Sequence, residues 1–236
     1  RHRGMKTNRL HSKFSRMNPI LLLWGVVLLF VTGVVIEPLF DLFPSKYLDQ
    51  LDSAIGQGGW AILQVVILAP VLEEILFRGL ILGSIRQKSG KALGAVFISA
   101  AIFGAMHVPI PQQMVNAFVI GLILGYIYVK TESLAAVIII HAINNGLAYV
   151  LRELFGSSAN AVSTKEMIGN DTVYYIIYGI CLVMLVVSFV MMIRAMARGQ
   201  AVPEGEITGE TAVSGVGNGK SQENEKTSAP ENNNKV

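Results

Sequence analysis

The sequence predicts an all-α integral membrane protein, a polytopic bundle of about six transmembrane helices with a disordered carboxy-terminal tail. Hydrophobic residues make up 52% of the 236 residues, and the mean hydropathy is +0.52. Charged residues make up only 15%, whereas soluble domains average about 25%. The charges also concentrate at the two ends of the chain and in short loops between apolar segments. A water-exposed surface would therefore lack the charge it needs.

The chain begins with a basic arm that precedes a first span. Residues 1–19 contain six Lys or Arg residues and no acidic residue. Residues 20–36 are uncharged and long enough to cross a bilayer. A cleaved signal peptide would also have a basic head and an apolar stretch, but this stretch is long for a signal. Glu37-Pro38 follows it instead of a small-residue cleavage site, which favours a retained anchor.

Five further apolar segments follow the first. They cover residues 59–85, 92–107, 113–129, 134–151 and 173–193. Two prolines, Pro109 and Pro111, bound the third segment, because proline lacks a backbone donor and clashes within a helix. Gly121 and Gly125 in the fourth segment predict a face on which helices pack closely. The single cysteine, Cys181, excludes a disulfide within the chain.

The distribution of Lys and Arg predicts the orientation. Basic residues cluster on the side of the amino-terminal arm at every short loop, so both termini are expected to be cytoplasmic. Residues 20–198 form the predicted transmembrane domain. Residues 199–236 are rich in Gly, Asn, Ser, Glu and Lys and predict a disordered cytoplasmic tail. We expect a protein of a bacterial plasma membrane that contacts the lipid bilayer and no nucleic acid.

The ionisable residues within the spans are few. They are Glu73, Glu74, Arg78, His107 and His141. A charge near the bilayer centre costs at least ~2.5–3.5 kcal/mol on insertion scales, so each of these residues needs a partner or a function.

Two neighbouring glutamates have different expected roles. Glu74 and Arg78 are four residues apart, share a helical face and are predicted to form an ion pair. Glu73 points about 100° away from Glu74, so Arg78 does not easily pair with both. Glu73 is therefore either a protonated carboxyl group hydrogen-bonded to a neighbouring helix or a general base in a low-dielectric site.

Two further pairs have the same spacing of four residues. Phe103 can pack against His107, and His141 shares a face with Asn145. An imidazole and an amide that face a cavity can stabilise an oxyanion. At 1.5 Å per residue, Glu73, His107, His141 and Asn145 lie about 16–24 Å from the basic turns. One cavity could therefore hold all of them.

Three motifs in this order resemble a known family. They are Glu73-Glu74-x-x-x-Arg78, Phe103-x-x-x-His107 and His141-x-x-x-Asn145. Over roughly residues 60–150, the sequence resembles the CAAX protease and bacteriocin-processing (CPBP, or Abi) family of intramembrane proteases, which is related to the type II CAAX prenyl endopeptidases. The resemblance implies a helix bundle around a polar cavity.

The resemblance also implies an activity: hydrolysis of a bond in a peptide or membrane-protein substrate. Glu73 would correspond to the catalytic glutamate, with His107 helping to activate water. His141 and Asn145 would correspond to the residues that stabilise the oxyanion. The other motif residues, Glu74, Arg78 and Phe103, would support the site.

The requirement for a metal is open at this point. The family is often labelled as metalloproteases, and Glu73, His107 and His141 form a possible ligand set for one divalent ion such as zinc. None of the motifs has the His-Glu-x-x-His spacing, and a metal-bound Glu73 would not be free to act as a base. We expect either no cofactor or a single metal ion, and we favour metal-independent glutamate catalysis.

Two alternative functions belong to other classes. The protein could be a catalytically silent membrane scaffold or a bacteriocin-immunity protein. It could also be a small proton-coupled transporter, although the inverted repeats typical of transporters are not found in the sequence. The predicted orientation places the polar residues nearer the outer half of the bilayer. Access from the cytosol would then be deep, or the substrate would be a secreted or membrane peptide.

Overall fold

The computed structural model describes residues 18–44, 58–155 and 163–200, and these residues form helices and connecting turns without any strand. The helices are α1 (Pro19–Ile36), α2 (residues 58–89), α3 (Ala92–Ala105), α4 (Pro111–Thr131), α5 (Leu134–Phe155), the short α6 (Thr164–Ile168) and α7 (Asp171–Gln200). A 3₁₀ helix, Glu37–Leu42, follows α1. The all-α fold class is therefore confirmed. Most of the basic arm, nearly all of the predicted tail and residues 45–57 lie outside the described residues.

Four helices in the described part of the chain are long and apolar enough to cross a membrane. They are Pro19–Leu42, Pro111–Thr131, Leu134–Leu154 and Asp171–Arg198. These match the first, fourth, fifth and sixth predicted spans. The third predicted span is the shorter apolar helix α3, which ends at Ala105, so His107 lies on the turn that follows and not on the helix itself.

The second predicted span is α2, which alternates between two kinds of helix. Its π-helical stretches, Leu63–Leu68 and Ile75–Leu82, flank the α-helical turn Ala69–Glu74. Short π-helical insertions are rare and are found frequently at functional sites. The two adjacent glutamates therefore lie at the end of a turn between two irregular stretches of the same helix.

Successive predicted spans must run in opposite directions, so connections that are two spans apart should lie at the same end of the bundle. Contacts at the two ends agree with this. Arg86, in the last turn of α2, lies 3.3 Å from the carboxylate of Glu132, which follows α4. At the opposite end of the bundle, the Thr164 backbone N–H donates to the Glu37 carboxylate over 2.8 Å. We call the end that carries Arg86 and Glu132 the basic end.

The half of the bundle nearer the basic end has an apolar core. Buried side chains from six helices pack together there, including Leu21, Leu82, Val96, Leu124, Ile140 and Met192. Helices α3 and α4 approach closely through glycines. A Cβ on Gly121 would lie 3.0 Å from Ala100 Cβ, and one on Gly125 would lie 3.1 Å from Val96 Cγ1. This contact confirms the close packing predicted for the glycine face of α4.

Candidate active site

The polar residues singled out in the sequence meet in one cavity. Helix α2 supplies Glu73, the turn after α3 supplies His107, and α5 supplies His141 and Asn145. The cavity has a volume of about 370 Å³. Its wall also carries Phe103 from α3. All four candidate catalytic residues therefore face the same space, although they come from three separate segments of the chain.

The predicted ion pair between Glu74 and Arg78 is present and fully buried. Arg78 Nη1 lies 2.9 Å from Glu74 Oε1, and the two side chains are only 1% and 0% exposed. Nη1 is not aligned to donate a hydrogen bond, so the attraction is mainly between the charges. Arg78 Nη2 donates to the Gly121 carbonyl over 3.3 Å. The pair therefore links α2 to α4 at the point where α4 has no side chain.

Glu74 has a second partner that the spacing within one helix did not predict. Its Oε1 lies 2.8 Å from His141 Nδ1 on α5. A carboxylate paired with Arg78 accepts hydrogen bonds, so Nδ1 carries the hydrogen. Glu74 therefore orients the His141 ring as well as balancing Arg78, and it connects the structural pair directly to the site.

Glu73 lies on the other side of the same imidazole. Its Oε2 is 3.8 Å from His141 Nε2, and its side chain is 28% exposed, whereas Glu74 is not exposed at all. The sequence prediction that Arg78 does not serve both glutamates agrees with these contacts. His141 is thus held between a buried carboxylate at Nδ1 and a cavity-facing carboxylate near Nε2.

His107 is oriented by the backbone of its own segment. Its Nδ1 lies 2.9 Å from the Phe103 carbonyl oxygen. A carbonyl can only accept, so Nδ1 carries the hydrogen, and Nε2 of the neutral ring has a lone pair. That nitrogen can accept a hydrogen bond from a water molecule in the cavity.

Phe103 packs against several of the site residues. Its ring centroid is 5.0 Å from that of His107 and 6.1 Å from that of His141, with both pairs edge-to-face. The Arg78 guanidinium carbon lies 4.9 Å from the Phe103 centroid. The packing of Phe103 under His107 was predicted from their spacing. The structure adds that one ring separates the two imidazoles and covers the cation.

Asn145 lies on the cavity wall one helical turn beyond His141. Its Nδ2 donates to the Val65 carbonyl oxygen over 3.1 Å. Val65 belongs to the first π-helical stretch of α2. The side-chain amide carries two N–H groups, so this contact fixes the direction of the amide and uses one of its donors.

The possible zinc ligands do not form a metal site in this arrangement. Across residues 18–44, 58–155 and 163–200, no three His, Cys, Asp or Glu side chains are grouped so as to hold a metal ion. His107 and His141 each hold Nδ1 against an oxygen acceptor, so the Nε2 atom is the ring nitrogen that either histidine could offer to a ligand. The reaction proposed below uses only the side chains of the protein.

Several cavity residues were not recognised from the sequence. Asn116 and Asn144 were not among the candidate site residues, yet both line the cavity. Arg152 follows the predicted end of its span at residue 151, but it lies on α5, is 8% exposed and also lines the cavity. The spacing of Arg152 from two candidate residues could have indicated its position. His141, Asn145 and Arg152 fall on one face of a helix that continues four residues beyond the predicted end of the span.

The fold and the site together define a class: an integral membrane helix bundle with a cavity lined by a glutamate, two histidines and an asparagine. Residues 55–147 match the family model described as Type II CAAX prenyl endopeptidase Rce1-like. The matched range contains all three motifs, so the resemblance seen in the sequence is confirmed over this part of the chain. The description of that model names endopeptidases, which cleave peptide bonds. Comparisons with curated proteins and with solved structures found no match.

Proposed function

We propose that this protein is an intramembrane endopeptidase that hydrolyses a peptide bond inside the polar cavity. The observation that supports the proposal best is the convergence of Glu73, His107, His141 and Asn145 on one cavity from three segments of the chain. A base, a second water-binding group and two possible oxyanion donors are the groups that peptide hydrolysis needs. The match to a protease family supports the same reaction.

The proposed roles require particular hydrogens on two residues. Glu73 acts as a base only as a carboxylate, and His141 donates from Nε2 only when that nitrogen carries a hydrogen. Because Nδ1 also carries a hydrogen toward Glu74, His141 is then an imidazolium next to two carboxylates.

The proposed reaction starts with a water molecule between Glu73 and His107 Nε2. Glu73 removes a proton from the water, and the water oxygen attacks the carbonyl carbon of the substrate. His141 Nε2–H and the second Nδ2–H of Asn145 donate to the oxyanion that forms. The carbon–nitrogen bond then breaks, and Glu73 transfers its proton to the departing amine. The products are a carboxylic acid and an amine.

We also propose that the protein lies in a bacterial plasma membrane with both termini in the cytoplasm. The basic end carries Arg86 and Lys88 in the last turn of α2 and Lys91 in the connection that follows. By the positive-inside tendency this end faces the cytoplasm. The cavity extends away from that end, toward Gln113 near the start of α4 and Arg152 near the end of α5. A secreted peptide or the exposed part of a membrane protein would reach it from that side.

The Glu73→Gln variant tests the proposed activity. We expect cleavage to fall by about 10²- to 10⁴-fold, because the amide cannot remove a proton from water. Thermal stability in detergent should change little, since Glu73 is partly exposed and is not the partner of Arg78. The measurement is a mass-spectrometric comparison of peptides from cells that express the wild type, the variant or no protein. Glu132→Gln at the basic end is a matched control that should retain cleavage.

Undiminished cleavage in Glu73→Gln would show that Glu73 is not the base. A peptide profile that is identical with and without the wild-type protein would instead favour a silent scaffold or an immunity protein. Chelator treatment followed by addition of zinc, carried out on the purified wild type, tests the glutamate-type mechanism separately. We expect activity to be unchanged by both steps.

A further inference from the structure

Helix α3 carries a buried serine that the proposed reaction does not use. Ser99 is 2% exposed, and its hydroxyl donates to the backbone carbonyl oxygen of Phe77 on α2 over 3.0 Å. A serine inside a helix often donates instead to a carbonyl of the preceding turn of its own helix. Because the bond of Ser99 joins two helices, it fixes the position of α3 against α2.

The carbonyl that accepts this bond lies in an irregular part of α2. Phe77 belongs to the second π-helical stretch, Ile75–Leu82, which begins directly after Glu74. A π-helical stretch replaces the regular hydrogen bonds of an α-helix by wider ones and is found frequently at functional sites. A hydrogen bond from a neighbouring helix stabilises such a stretch in one position. Ser99 provides that bond within a few residues of the two glutamates.

The peptide group that Ser99 contacts also carries Arg78. The Phe77 carbonyl and the Arg78 N–H belong to one planar peptide unit, so the hydrogen bond fixes the backbone from which the Arg78 side chain extends. Arg78 pairs with Glu74, and Glu74 contacts His141. Ser99 is therefore the first member of a series of contacts that ends at a proposed oxyanion donor.

A second contact joins the same two helices one turn further along α3. The rings of Phe77 and Phe103 are both buried and pack edge to face, with their centroids 4.8 Å apart. Ser99 and Phe103 are four residues apart and share a face of α3. The Phe103 ring also packs against His107. The hydroxyl and the ring thus attach α3 to α2 at two levels, and the second level contacts His107.

The position of α3 against α2 matters for the proposed reaction. The attacking water molecule is proposed to lie between Glu73, on α2, and His107 Nε2, on the turn that follows α3. A misplacement of about 1 Å can lower a catalysed rate by about 100-fold. A contact that sets how the two helices lie against each other therefore also sets the distance between the two groups that bind this water.

We propose that Ser99 is a positioning residue: its hydrogen bond to the Phe77 carbonyl holds His107 and Glu73 at the separation that the attacking water requires. This inference rests on the proposed endopeptidase function. Ser99 is not among the described residues that line the cavity, so it acts through the two helices and not on the substrate. Its loss should therefore lower kcat and leave KM nearly unchanged.

The test measures kcat and KM separately, with purified full-length protein in nanodiscs. The probe is a synthetic peptide that spans a cleavage site found in the mass-spectrometric comparison. We expect Ser99→Ala to lower kcat by about 10- to 100-fold and to change KM by less than about twofold. Ser99→Cys keeps nearly the same side-chain volume but has a weaker donor, so it should behave like the alanine variant. Ser99→Thr keeps the hydroxyl and should recover most of the lost kcat.

Ser188→Ala is the matched control. Ser188 on α7 is also fully buried, and its hydroxyl donates to the Leu185 carbonyl of its own helix over 3.1 Å. This variant loses the same kind of hydrogen bond outside the site, so its thermal stability should fall while kcat is retained. An equal fall of kcat in Ser188→Ala and Ser99→Ala would overturn the inference. A change confined to KM would overturn it too, and so would a threonine variant no more active than the cysteine variant.

A measurement without substrate separates this inference from the proposed function. NMR spectra of protein with isotope-labelled histidine side chains report on the ring of His107. We expect its signals to shift in Ser99→Ala and Ser99→Cys but not in Ser188→Ala. If these shifts occur and the wild type cleaves no peptide, the proposed function is wrong and the placement of His107 by Ser99 is retained. Unshifted signals, or a wild-type kcat in both Ser99 variants, overturn the inference and leave the function standing.

Discussion

The two halves of this bundle differ in what fills the space between the helices. Near the basic end, Leu82, Leu124 and Ile140 are fully buried and belong to a hydrophobic core cluster. In the other half, the same helices α2, α4 and α5 enclose a cavity of about 370 Å³ lined by carboxylate, imidazole, amide and guanidinium groups. Each of these helices therefore contributes to the apolar core at one end and to the polar cavity a few turns away.

The difference shows how a membrane bundle can contain an open polar site. The packed half supplies rigidity through close contacts, and Glu74 and Arg78 lie where the two halves meet. Arg78 contacts the backbone of α4, and Glu74 contacts His141 on α5. One buried pair thus attaches the cavity wall to the packed half. Four predictions test this division, in order of the expected effect.

Arg78→Met removes the cation and leaves Glu74 buried without its partner. We expect a loss of about 3–5 kcal/mol in the free energy of unfolding, the range for breaking a buried ion pair on one side. The contacts of Arg78 with the Gly121 carbonyl and the Phe103 ring are lost as well. Unfolding in detergent with increasing denaturant measures the change. A loss below about 1 kcal/mol would show that the pair does not hold the two halves together.

The double variant Glu74→Gln with Arg78→Met separates stability from activity. With both charges removed, we expect unfolding free energy to return to within about 1–2 kcal/mol of the wild type, since uncharged replacements of buried pairs are often tolerated. Cleavage should stay about 10²- to 10³-fold low, because the charged form of His141 has lost a carboxylate neighbour. Peptide cleavage and unfolding are measured on the same preparation. Recovery of both properties would confine Glu74 to a structural role.

Gly121→Ala tests the packed contact between α3 and α4. The new Cβ would lie 3.0 Å from Ala100 Cβ and 3.1 Å from Ala100 Cα, so backbone must move. We expect a loss of about 1–3 kcal/mol, the usual cost of overpacking. Gly33→Ala in α1 is the control, because nothing lies within 4 Å of its Cβ position and alanine favours a helix by about 0.5–1 kcal/mol. Equal effects of the two changes would contradict the close-packing interpretation.

Arg86→Gln should have the smallest effect. Its contact with Glu132 at the basic end joins side chains that are 39% and 59% exposed. Exposed ion pairs contribute about 0–1 kcal/mol, and added salt weakens them. Thermal melts at low and high ionic strength should show a small loss that disappears with salt. A loss as large as that of Arg78→Met would mean that the basic end, and not the buried pair, stabilises the bundle.

Much of this protein follows from the sequence because apolar length and helical spacing are local properties. The all-α membrane bundle is predicted from composition and from apolar segments. The spacing of four residues between Glu74 and Arg78 predicts their pairing, and distance from the basic turns predicts a common level for the site residues. The structure places Glu73, His107, His141 and Asn145 on one cavity, which agrees with the common level predicted from the sequence.

Only the tertiary structure decided which groups meet across different helices. The contact of Glu74 with His141 joins residues 67 positions apart, and no spacing within one helix indicates it. The position of Arg152 inside the cavity depends on α5 continuing beyond its apolar segment. Hydropathy marks where a segment leaves the apolar range, whereas hydrogen bonding and packing decide where a helix ends. The sequence therefore identified the four candidate catalytic residues, and the packing of the helices decided which groups they contact.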